Sequence, residues 1–123
     1  MSTIKANTLL HSDGSTTTQP SIPALAPTMA KAWVRFNGSG TVGVMASYNV
    51  SSMTDLGTGQ YRINYTNSLS STNYAVVVST SGASYQYNAR PNDLTTSNCA
   101  IDTSNGSNAY QDHGRNYVVI FAN

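Results

Sequence analysis

Residues 60–66 read Gln-Tyr-Arg-Ile-Asn-Tyr-Thr, "QYRINYT", and the alternation in that stretch decides the fold class. Tyr61, Ile63 and Tyr65 fall on one side of an extended chain, and Arg62, Asn64 and Thr66 on the other. That pattern predicts a half-buried β-strand. Outward from it, similar short runs recur: Trp33–Phe36, Val42–Val50, "NYAVVVST" at 73–80, "SYQYNA" at 84–89, "SNCAID" at 97–102 and "NYVVIFA" at 116–122. Turn-rich stretches separate them, including "NGSG" at 37–40 and "SSMTDLGTG" at 51–59. About seven strands with this punctuation predict an all-β chain folded as an antiparallel β-sandwich over residues 33–123.

The flanking residues have a different character. Residues 1–19 contain Ile4, Leu9 and Leu10 but too little apolar surface for a core, and Asp13-Gly14 followed by Thr16–Thr18 reads as a turn. This segment is expected to be an extended N-terminal arm for attachment or oligomerisation. Residues 20–32 carry Pro20, Pro23 and Pro27, which block a continuous helix and predict a linker, with room for one helical turn near Thr28–Ala32.

Several strands are apolar on both faces: Trp33 beside Val34, Val76 beside Val77, Val118 beside Val119. A two-layer sandwich buries only one face of each strand, so the excess predicts self-association. Trp33 is expected to anchor either the core or a subunit interface.

Charge sets further limits. Only 9% of residues are charged, with no glutamate and a net charge of +1, against about 25% charged in ordinary soluble domains. Neutral Ser, Thr and Asn, at 17, 15 and 13 residues, supply the polarity instead. So weak a net charge gives no reason to expect a nucleic-acid partner. The N-terminus lacks the pattern of a secretory signal, and no apolar run approaches the ~20 residues of a membrane span. Synthesis and assembly in a cytoplasm, without membrane insertion, are expected.

The residues argue against catalysis. No Gly-x-Ser-x-Gly elbow occurs, and Cys99 lies within a strand, where a buried thiol is inert. His113 has Asp112 beside it, but neighbours on a strand point apart, so the pair reads as part of a polar loop. Two distant histidines and one cysteine match no zinc spacing, and Asp102, Asn105 and Asp112 lack the acidic density of a calcium loop. No enzyme activity, cofactor or metal is expected. The late loops "NARPNDLTTSN" and "SNGSNAYQDHGRN" do concentrate groups that recognise sugars. Tyr85, Tyr87, Arg90, Asn92, Asp93, Asn105, Asn108, Tyr110, Asp112, His113 and Arg115 are the candidate ligand-binding residues, amides and carboxylates for hydroxyls and tyrosines for ring faces.

The segment from Ala30 to Val78 resembles one that recurs in tail-fibre and related virion proteins of tailed bacteriophages, especially those of cyanobacteria and other aquatic bacteria. The matching elements are Ala-Lys-Ala-Trp-Val (30–34), Phe-Asn-Gly-Ser-Gly-Thr-Val (36–42), Ser-Tyr-Asn-Val-Ser-Ser (47–52), Thr-Asp-x-Gly-Thr-Gly (54–59) and Asn-Tyr-Ala-Val (73–76). The opening "MSTIKANTL" is similar to the starts of such fibres. The resemblance implies a β-rich homotrimer in the virion. Its N-terminal arm would bind other virion proteins, and its C-terminal loops would face host cell-surface polysaccharide. The alternative implied is a capsid or baseplate decoration or cement protein with a purely structural role.

Overall fold

The computed structural model describes residues 2–16, 22–81 and 88–122. Tyr85, Tyr87, Pro20 and the end of the threonine run lie outside the described residues. After a short 3-10 turn at Ala26–Thr28 come eight strands: β1 (Ala30–Asn37), β2 (Gly43–Tyr48), β3 (Val50–Gly57), β4 (Gln60–Tyr65), β5 (Tyr74–Ser81), β6 (Asn88–Leu94), β7 (Asn98–Ser104) and β8 (Arg115–Ala122). They form two four-stranded antiparallel sheets, ordered β2-β1-β8-β5 and β3-β4-β7-β6. The fold is a β-sandwich, with almost no helix among the described residues. No described helix is long and apolar enough to cross a membrane.

The inner faces follow from alternation. Ala32, Val34 and Phe36 of β1, Tyr61, Ile63 and Tyr65 of β4, Cys99 and Ile101 of β7, and Val118 and Ile120 of β8 form one buried cluster. Phe36 meets Tyr61 edge-on, with ring centroids 5.0 Å apart, which ties the two sheets together at the centre. Each of these large side chains contributes about 1.5–3 kcal/mol by leaving water.

The paired apolar neighbours in β1, β5 and β8 do split between the two faces. Val34 and Val118 are buried, whereas Trp33 is 38% exposed and Val77 56% exposed on the outer face of the first sheet. Trp33 is therefore no part of the core.

Three differences from the sequence reading concern the strands. The run 42–50 is not one strand: β2 ends at Tyr48, Asn49 adopts φ 54°, and β3 begins at Val50 in the other sheet. Residues 51–59, read as a turn, are mostly β3. As an edge strand with little to bury, β3 shows no apolar alternation. Most of the strand expected at 84–89 lies outside the described residues; from Asn88 the chain is β6, which runs on to Leu94 through a stretch read as loop. Its Pro91 suits an edge strand, and the register shifts between Pro91 and Leu94.

Asn49 is the corner between the sheets. Its amide donates to the carbonyls of Lys31 (3.0 Å) and Asn67 (3.1 Å), and its Oδ1 accepts from Asn67 N–H at 2.7 Å. Asparagine tolerates the left-handed backbone better than most residues do. Asn49→Ala loses the hydrogen bonds and adds backbone strain, and is expected to cost about 2–3 kcal/mol in denaturant unfolding. Asn49→Gly, which keeps the backbone geometry, should cost roughly half of that.

Candidate functional site

The loop joining β7 to β8 holds five of the eleven candidate residues, Asn105, Asn108, Tyr110, Asp112 and His113, and the structure builds it from the inside. Asn105 Oδ1 accepts from the N–H groups of Ser107 (2.9 Å) and Ala109 (3.1 Å), and Asn105 N–H donates to Ala109 O at 2.9 Å. Asn108 closes the same turn with φ 61°. Thr103 Oγ1 donates to the Gln111 carbonyl at 2.7 Å, and Gln111 N–H returns a bond of 3.1 Å to the Thr103 carbonyl. The loop is a stapled turn.

Asp112 points inward. Its Oδ1 accepts from Gly59 N–H at 2.7 Å and lies 2.8 Å from the Tyr61 phenol, which also sits 2.9 Å from the Gly38 carbonyl. Burial, and then the adjacent Asp112 carboxylate, push the Tyr61 hydroxyl well above the ordinary tyrosine range. His113 is buried, with Nε2 3.4 Å from the Ser104 carbonyl. Its own carbonyl accepts from Gly38 N–H (3.0 Å) and Asn116 Nδ2 (2.7 Å). Asp112 and His113 thus join three loops at one end of the sandwich.

The remaining candidates are spread over different surfaces. Tyr110 and Asn108 are exposed on the loop, and Asn88 Nδ2 reaches Asn108 Oδ1 at 3.3 Å. Arg90 and Asn92 of β6 converge on Asp102, which is buried on the outer face of the second sheet. Asn92 Nδ2 lies 3.2 Å and Arg90 Nε 3.5 Å from its Oδ2, while Gln60 Nε2 approaches Oδ1 at 3.4 Å. Asp93 is exposed at the irregular end of β6, and Arg115 opens β8 on the outer face of the first sheet. Asp102, Asn105 and Asp112, weighed as cation ligands, face three separate sets of partners. No three His, Cys, Asp or Glu residues among those described lie together as a metal site. Cys99 is fully buried, and desolvation raises its thiol above the usual range.

The outer face of the first sheet was missed as a possible binding surface. Register brings Tyr48, Trp33, Val119 and Val77 into one row across four strands, and Ala46, Arg35, Tyr117 and Ser79 into the next. Arg35 lies over the Tyr117 ring, 5.9 Å from its centroid. Trp33, Arg35, Val77 and Tyr117 are exposed there. The signal lay in the two-sided apolar character of β1, β5 and β8, but only the strand order assembles it into a surface.

Comparison with protein-family models, curated proteins and solved structures finds no match for this chain.

Proposed function

We propose that this chain is a bacteriophage virion protein, a fibre or fibre-tip module that forms a homotrimer and presents a β-sandwich to the host surface. One observation carries the reading: Ile4, Leu9 and Leu10 are exposed in a segment with no helix or strand, ahead of a sandwich that closes its own core. Apolar side chains held in water are costly, and contact with a neighbour relieves that cost. The segment then acts as an attachment arm, bound to sister subunits or to other virion proteins, and the sandwich acts as the displayed body. The resemblance of residues 30–78 to tail-fibre segments supports the same assignment. Light scattering of the purified chain should give three copies, and the protein should adsorb to host cells. A monomer that binds no host cell would overturn the reading.

A second reading, a capsid or baseplate cement protein, is favoured by a specific observation: Asn105, Asp112 and His113 hold their loop together with their polar groups. A loop stapled in this way suits a structural part. Particles lacking the protein would then lose heat resistance while adsorption stayed unchanged.

A further inference from the structure

We infer that the outer face of the first sheet, and not the β7–β8 loop, binds ligand, and that the ligand is an acidic polysaccharide. This inference rests on the displayed-module reading above and assigns its surface and ligand chemistry.

The face is basic and aromatic. Alternation puts Lys31, Trp33 and Arg35 of β1 on it, together with Arg115, Tyr117, Val119 and Phe121 of β8. Three of the chain's six Lys and Arg residues are there. None of the five aspartates is: Asp13 lies before the sandwich, Asp55, Asp93 and Asp102 lie on strands of the second sheet, and Asp112 turns inward to Gly59 and Tyr61. No aspartate among the described residues pairs with Lys31, Arg35 or Arg115; the ion pairs present join His11 to Asp13 and Arg90 to Asp102. A chain of net charge +1 has thus segregated an uncompensated positive surface.

Charge complementarity selects the occupant. A second copy packed face to face would set three cations against three, with no carboxylate between them, which opposes that pairing. An anionic partner meets the cations directly. Trp33 sits between Lys31 and Arg35 on the same strand face, so a sugar ring stacked on the indole places acidic substituents within reach of both. Arg35 is already held over Tyr117, which orients its planar fork for a carboxylate. Nucleic acid is the weaker fit. Binding it by counterion release draws on roughly 6–10 phosphate contacts, more than three cations supply.

Trp33 is the only tryptophan in the chain, so its fluorescence reports on this face alone. The full chain is titrated with polygalacturonate, with dextran as the neutral control and oligo(dT) as the polyanion control. Polygalacturonate should shift the emission of Trp33, raised salt should reverse the shift, and dextran should leave it unchanged. Arg35→Gln should weaken binding about tenfold, as the loss of one charge-assisted hydrogen bond would, and Trp33→Ala should weaken it further. Trp33→Tyr should restore most of the binding, which separates stacking from folding. Emission unmoved by polygalacturonate, or moved by oligo(dT) alone, overturns the proposal. So does loss of the trimer in Trp33→Ala or Arg35→Gln, which would make the face a subunit interface. Adsorption of the protein to host cells with Trp33 emission unmoved would refute this site and leave the displayed-module reading standing.

Discussion

Gly59→Ala is expected to lower stability by roughly 2–5 kcal/mol, the sum of a left-handed backbone penalty and overpacking. Gly59 holds φ +66°, and an added Cβ would overlap the carbonyl of Thr103 and the backbone N–H of Gln111. Those atoms belong to β7 and to the stapled β7–β8 loop, so relief of the overlap must move backbone and not a pliant side-chain end. The same displacement pulls Gly59 N–H from Asp112 Oδ1 and Gly59 O from Thr103 N–H, now 2.7 Å each. Gly40 is the control. It has a similar φ of +71° but nothing within 4 Å of an added Cβ, so Gly40→Ala should cost only the backbone term, about 1 kcal/mol. Thermal unfolding of the two variants separates packing from conformational strain. Equal losses would show that the β3–β4 turn is not locked to the β7–β8 loop.

The second large effect is alkaline unfolding. Tyr61 and Tyr65 are buried and Tyr74 is half-buried, and in each case burial leads the causes that raise the hydroxyl above its ordinary value. The three are wired into the sandwich: Tyr65 O–H donates to the Tyr74 oxygen at 3.3 Å, and Tyr74 O–H donates to the Thr95 carbonyl at 2.8 Å. Below about pH 10 both folded and unfolded chains keep these protons, and the stability they confer is fully present. As the pH rises further, the unfolded chain loses protons that the folded chain retains, so stability falls. Tyr61 and Tyr65 each contribute up to about 1.4 kcal/mol per pH unit, and Tyr74 less because solvent reaches it. Unfolding free energies from denaturant titrations, measured from neutral pH upward, should be level and then drop by about 3 kcal/mol per pH unit. Tyr61→Phe should remove close to half of that slope. A midpoint unchanged well above pH 10 would mean that these hydroxyls ionise freely in the folded protein.

How much of this was legible in the sequence depends on distance along the chain. The faces of "QYRINYT" were read correctly because alternation is local: Tyr61, Ile63 and Tyr65 are buried, and Arg62 and Asn64 face outward. Cys99, expected to be buried because it lies within a strand, is buried. Where a strand buries little, the signal fades, so β3 passed for a turn and β6 for a loop. Asp112 and His113 were read as candidate binding residues because nothing near them in the sequence reveals Gly59, Tyr61 and Gly38, their partners across the fold. Lys31, Arg35 and Arg115 likewise become one surface only when β1 and β8 lie side by side.

That pairing also governs how the protein is made. β1, the first of the described strands, and β8, the last of them, lie together at the centre of the first sheet, with β2 and β5 at its edges. On the ribosome, β1 therefore has no central partner until residues 115–122 have emerged, and its apolar inner row must wait. Closing so long a loop is entropically costly, which predicts slow and cooperative folding once β8 is available to pair with β1. A nascent chain halted before β8 would expose Val34 and Phe36 to other chains and to chaperones.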